Sequence, residues 1–213
     1  IQTVFFIFLI LITKPIGLKN NEAYSISEFG DRQEKAVSDI HKIEPLGNKK
    51  LKIEAKATDE EVCLAQILYS ESKNKTHWVY LGWSARNRVD LIFRGHTYCK
   101  VANWPSQFSA ISLKSDPGHT KIKTIHRSYL KGILSSTDTK LWESAIQVGR
   151  IIINADSALN PVPDAVYFWY IPAYESGNIN WPSWAKGKVA PYVLRKPNSK
   201  DISWAFYRQI DIA

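Results

Sequence analysis

All eight tryptophans of this chain, and nine of its ten tyrosines, lie after Val62. Large aromatic side chains bury more apolar area than any others, so they fix where the chain collapses into a core. The charge divides at the same place. Up to Glu61 there are nine Lys/Arg against ten Asp/Glu, and from Val62 onward nineteen against ten, a surplus of nine positive charges. Three segments follow: a signal-like apolar stretch over 1–18, a polar linker over 19–57 and a basic, aromatic-rich folded domain over 58–213. A domain of about 150 residues buries roughly 68–70% of its unfolded surface, enough for an independent core. With 45% hydrophobic and 23% charged residues, wholesale disorder and a polytopic membrane protein are both excluded.

Residues 4–12 (VFFIFLILI) form an unbroken apolar run of nine. That is far short of the ~20 residues needed to span a bilayer, but it matches the core of a secretory signal. The expectation is export to the periplasm, cell envelope or exterior, with anchoring in a membrane through 4–12 as the alternative to cleavage. The basic flank expected before such a core is missing and the chain starts at Ile1, so either the true start lies upstream or the start codon is unusual. Residues 19–56 read as a solvated linker with one short helix around 34–40.

Thr58-Asp59-Glu60-Glu61 is a capping-box pattern in front of an apolar run, a strong helix start. In that helix Leu64, Ile67, Leu68 and Glu71 recur at i, i+3, i+4 and i+7, so one face carries three apolar side chains and then a carboxylate. A second helix is expected over 77–93, with Trp78, Leu81, Ala85, Val89 and Ile92 on one stripe. Residues 94–135 read as loop-rich, with turn signals at Arg94-Gly95 and Asp116-Pro117-Gly118. A third helix fits 139–154 through Leu141, Ala145, Val148 and Ile152, and strands fit 165–170 and 202–210. The fold class is α+β, mostly helical, with a minor β element.

Cys63 and Cys99 are the only cysteines. In an exported chain they permit one disulfide closing a loop of about 36 residues, worth about 3–4 kcal/mol by the chain-entropy argument. The alternatives are two buried thiols, or a nucleophilic cysteine activated by His96 or His119. A bridge requires Cα atoms about 4.4–6.8 Å apart.

Most familiar chemistries lack their patterns here. The five histidines (41, 77, 96, 119 and 126) form no H-E-x-x-H, and there is no CxxC to complete a zinc site. No Gly-rich phosphate loop and no G-x-S-x-G occur. Acid/base chemistry by carboxylate remains. Asp90, Asp116, Asp138 and Asp164 fall in turns or at helix ends, whereas Glu71 continues an apolar stripe. A carboxyl held against apolar walls has its charged form disfavoured, and its pKa rises toward what a general acid needs. The bland reading is a boundary glutamate closing its helix.

The stretch CLAQILYSES, ending on Glu71 and Ser72, resembles the CLALxIYxEARGE helix of the SleB/CwlJ-type cell-wall hydrolases, the family of spore cortex-lytic enzymes. Asn87-Arg88-Val89 is similar to that family's NRV block. Cys99 followed by Gln107-Phe108-Ser109 is similar to its C-x7-QFS pattern, and Ala165-Val166-Tyr167-Phe168 to its ALYF strand. Pro182-Ser183-Trp184 resembles its P-x-W loop, and Phe206-Tyr207-Arg208 its terminal FYR. The six blocks keep their order from Cys63 to Arg208. Two departures stand out: EARGE becomes Glu71-Ser72-Lys73-Asn74-Lys75, and Trp169 and Trp204 stand where relatives often carry His.

The resemblance implies a catalytic domain with a lysozyme- or lytic-transglycosylase-like helical core that cuts peptidoglycan between N-acetylmuramic acid and N-acetylglucosamine. It implies Glu71 as the catalytic acid and base, without cofactor or metal. Asn87, Gln107, Phe108, Tyr167, Trp184 and Tyr207 are the matching substrate-binding candidates, and Glu71 is expected on the floor of an open groove with Asn87, Gln107 and Tyr167 within reach. No second carboxylate stands out; Glu143 and Asp116 are the reserves. The partner implied is the peptidoglycan polymer, whose lactyl and peptide carboxylates suit a basic domain; a monomer is expected. The rival enzyme reading is an N-acetylmuramoyl-L-alanine amidase, and the rival outside catalysis is a wall-binding module. Charge alone points to nucleic acid, against which the export signal speaks.

Overall fold

The computed structural model describes residues 56–105, 107–171, 182–195 and 202–212. The apolar run over 4–12 and the helix expected over 34–40 lie outside the described residues. Within them, six helices are followed by a small antiparallel sheet. The helices are α1 (Asp59–Glu71), α2 (Lys75–Asp90), α3 (Tyr98–Asn103), α4 (Ser109–Ser112), α5 (His119–Leu130) and α6 (Ser136–Asn154). The strands are β1 (Ala165–Tyr170), β2 (Tyr192–Arg195) and β3 (Ile202–Arg208), and a final helical turn, α7 (Gln209–Ile212), follows β3. The class is α+β with a helical majority.

The capping box forms as expected: the Glu61 N–H donates to Thr58 Oγ1 at 3.2 Å, and the Thr58 N–H to Glu61 Oε2 at 3.0 Å. From there α1 runs as the hub of the helical layer, in contact with each of α2 to α6. Its stripe is fully buried, with Leu64, Ile67 and Leu68 all at 0% exposure. The Cys63–Cys99 disulfide joins α1 to α3 with Cα atoms 5.0 Å apart. Against α6, α2 presents Gly82, where an added Cβ would lie 2.3 Å from Ile152 Cδ1; the missing side chain is what lets these helices approach.

Three expectations need correcting. The second helix spans Lys75–Asp90, starting at an Asn74 cap and ending before Ile92. Ile92 turns out of it with φ 53° and is 70% exposed, so it is no part of the buried stripe. The stretch over 94–135 is not mainly loop. It carries three helices, among them the twelve-residue α5, which buries only Ile122 and Ile125. The last strand stops at Arg208 and gives way to α7, and β2 supplies a third strand that the sequence pattern did not reveal.

The sheet order is β1-β3-β2, with β3 central and antiparallel to both neighbours. Alternation sends Phe168, Trp204 and Phe206 toward the helical core, and Tyr167, Ala205 and Tyr207 to the other face. There Tyr167 and Tyr207 pack around Trp184, with ring centroids 5.2 and 5.4 Å away. The sheet is tied to α2 by Trp204, whose Nε1 donates to His77 Nδ1 at 3.0 Å.

Candidate active site

Glu71 is the last residue of α1, and the chain around it is fixed from the next helix. The Ser72 carbonyl accepts from Trp78 Nε1 at 2.8 Å, and Ser72 Oγ lies 2.9 Å from His77 Nδ1. Trp78 is itself fully buried, so the end of α1 is anchored to the core. Beyond it opens a cleft of about 390 Å³. Glu71, Tyr69 and Lys73 line it from the end of α1, Ser109 from α4, Asp116 from the following turn and Lys121 from α5.

The Glu71 carboxyl has no ion pair within 4.0 Å among the described residues. Glu71 is partly exposed at the cleft, yet protein surrounds its carboxyl, and burial raises its pKa to about 7. Arg88 opposes this rise and the negative charge of Asp116 adds to it. Its place at the C-terminal end of α1 acts the same way, since the helix dipole there disfavours an anion. A group poised so near neutrality can give up a proton and take one back.

Arg88 reaches this region from α2 and is 3% exposed. Its guanidinium lies 4.9 Å from the Phe108 ring and 5.4 Å from that of Phe168, and Nε donates to the Val166 carbonyl at 2.6 Å. Nη1 is buried and has no hydrogen-bond partner among the described residues. Burial holds the Arg88 pKa down to about 10, with Glu71 pulling it back up.

On the opposite flank the Tyr69 hydroxyl donates to Asp138, and Lys121 Nζ pairs with the same carboxylate at 3.1 Å. Lys73 is exposed, but its ammonium lies 3.3 Å from the centre of the Tyr69 ring and donates to the Tyr69 carbonyl at 2.7 Å. Shelter from water, then repulsion by Lys121, lowers its pKa to about 8.

The other candidates fall elsewhere. Asn87 is 5% exposed, and its amide is consumed inside the fold. Nδ2 donates to the carbonyls of Val162 and Ala165 at 2.7 and 2.9 Å, while Oδ1 accepts from Asn160. Phe108 is fully buried. Gln107 is half-buried two residues before Ser109 and does not line the cleft, and Tyr167, Trp184 and Tyr207 cluster on the far face of the sheet. The groove expected to gather Asn87, Gln107 and Tyr167 around Glu71 is therefore built from other residues. Of the reserve carboxylates, Asp116 lies in the cleft, whereas Glu143 does not line it and accepts from the Tyr129 hydroxyl at 3.2 Å. Arg88 stood in plain view beside Asn87, and Asp116 inside a turn signal. Tyr69 and Ser109 lay inside the CLAQILYSES and QFS blocks, whereas Lys121 and Asp138 carry no sequence signal that sets them apart.

Comparison of the chain with protein-family models, curated proteins and solved structures found no match.

Proposed function

We propose that this protein cleaves the glycan strands of peptidoglycan between N-acetylmuramic acid and N-acetylglucosamine, with Glu71 first as acid and then as base. One observation carries the reading: a carboxyl without an ion pair among the described residues, raised to about 7 by burial, lines a cleft at the end of the central helix. The proton of Glu71 passes to the bridging oxygen, and the C1–O bond breaks with its electron pair going to that oxygen. The muramic acid's own C6 hydroxyl captures the oxocarbenium-like carbon and returns its proton to Glu71. The product is a 1,6-anhydro end, as in lytic transglycosylases, and no cofactor takes part. The sequence blocks shared with the SleB/CwlJ-type hydrolases support the same assignment, as does a helical layer built around one glutamate-bearing helix. The basic domain suits a polymer bearing carboxylates. The disulfide fits an oxidising compartment outside the cytoplasm, to which the apolar run over 4–12 would direct the chain.

Mass analysis of fragments released from purified peptidoglycan tests the proposal. Anhydro-muropeptides are the expected product, and they should disappear with Glu71→Gln. Free stem peptides would identify an amidase instead, and no release at all would leave a wall-binding module.

A further inference from the structure

We propose that Asp116 is the second carboxylate of this site, fixed in the Glu71 cleft where it faces the positive charge that develops on the sugar as the glycosidic bond breaks. The inference rests on reading Glu71 as the acid. Both carboxylates line one cleft, yet their surroundings differ. Glu71 has no ion pair among the described residues, whereas Asp116 is anchored through both oxygens. Ser109 Oγ donates to Asp116 Oδ2 at 2.6 Å, and the Gly118 N–H donates to Oδ1 at 2.8 Å. Each oxygen is thereby held by one donor, which fixes the orientation of the carboxyl in the cleft.

One donor on each oxygen leaves further lone pairs available to the cleft. The support is also rigid. The Asp116 N–H donates to the Leu113 carbonyl, the His119 N–H donates to the Asp116 carbonyl, both at 3.0 Å, and the turn leads into α5, which is seated by Ile122 and Ile125. A Cβ at position 118 would come within 3.2 Å of Asp116 Oδ1, so glycine keeps space open beside the carboxylate. A pair of carboxyls in one cleft is a recurrent arrangement for glycosidic cleavage, one giving a proton and the other stabilising cationic charge. In this role Asp116 exchanges no proton, so the balance of the proposed reaction is unchanged.

The competing account makes Asp116 only a turn residue, and Asp116→Asn separates the two, since an asparagine keeps the turn bond from Gly118 while losing the charge. In the full chain, kcat on purified glycan strands is expected to fall about 10²-fold while KM stays within about threefold. A second reading does not depend on turnover. In protein carrying 13C-labelled glutamate carboxyls, the Glu71 titration should move to lower pH in Asp116→Asn, because a neighbouring negative charge has gone. Arg88 below the carboxyl, and Lys73 and Lys121 around the cleft, remain the same in both proteins. Should Asp116→Asn fail to fold, Ser109→Ala removes one anchor without changing charge, and kcat should drop about threefold to tenfold. An active wild type whose Asp116→Asn variant keeps kcat within threefold, or an unmoved Glu71 titration, overturns the role of Asp116 alone. A wild type that releases no glycan fragment overturns the assignment of Glu71, and that of Asp116 with it.

Discussion

Cys63 of α1 is bonded to Cys99, so the segment that reaches Glu71 eight residues later is tied to the segment that reaches Gln107 eight residues later. A second tie lies alongside. The carboxylate of Glu60, in the first turn of α1, accepts from the Tyr98 N–H at the start of α3 at 2.5 Å. The bridge constrains the unfolded chain across 36 residues, so its removal should cost about 3–4 kcal/mol. Urea unfolding of Cys63→Ala/Cys99→Ala against the oxidised parent measures this. Equal midpoints would mean that the Glu60 tie and the core packing hold these helices without the bridge.

Glu71→Gln should separate activity from stability. Glutamine keeps the shape but neither gives nor takes a proton, so glycan cleavage should fall about 10²–10⁴-fold. Stability should move the other way at high pH. The folded protein holds the Glu71 proton more tightly than the unfolded chain does, with a pKa of about 7 against the ordinary 4.5. The stabilisation tied to that proton is full below about 4.5 and is lost as pH rises through about 7. At pH 8 the variant should therefore be the more stable protein, by about 1–3 kcal/mol, and near pH 4 the two should agree. Urea midpoints at those two pH values decide it; a variant less stable at pH 8 would show that the charged carboxylate is well accommodated.

The first helix could be read almost to the residue because its signals are local: a capping box, then apolar positions at helical spacing. α5 escaped because its twelve residues hold two buried isoleucines among Lys, His and Thr, too thin a stripe to outweigh the turn signals before it. β2 is four residues long and depends on pairing with β3 rather than on its own pattern. At the site, Glu71 stood out as a carboxylate on an apolar stripe. The triplet Asp116-Pro117-Gly118 was legible as a turn, but what the turn aims at depends on how α4 and α5 pack. Asn87 misled for the same reason: its partners lie 73 to 78 residues away, and no local pattern reveals whether an amide faces a substrate or a backbone.

That placement makes Asn87 a stability residue. Asn87→Ala would leave the Val162 and Ala165 carbonyls and the Asn160 amide without their buried partner. A loss of about 2–4 kcal/mol is expected, since each buried polar group left unpaired costs about 1–3 kcal/mol. For the protein that remains folded, KM on glycan strands should be close to wild type. A raised KM with an unchanged melting temperature would return Asn87 to the substrate-binding set.

The start of α1 should govern acid stability. Glu61 is 8% exposed and holds Arg150 of α6 through two bonds, Nε to Oε1 at 2.8 Å and Nη2 to Oε2 at 3.0 Å. The hydrogen bonding from Arg150 leads the causes that bring its pKa below the ordinary 4.5, against an opposing contribution from burial. A depressed carboxylate pKa stabilises the fold above the unfolded value of 4.5, and that contribution is lost as pH falls through the lower folded value. Glu61→Gln keeps an oxygen for the Thr58 N–H but gives up the charge that Arg150 clasps. At pH 7 it should destabilise the protein by about 1.5–3 kcal/mol, the range for hydrogen bonds to charged groups, and the difference should shrink below pH 4. Glu71 pulls the other way, favouring the fold at low pH, so wild-type stability against pH should fall toward both ends. In Glu61→Gln the acid side of that curve should flatten while the decline toward pH 8 stays. Urea midpoints taken from pH 3 to pH 9 for both proteins test the assignment, and an acid limb of equal steepness in the two would place the acid-sensitive group elsewhere.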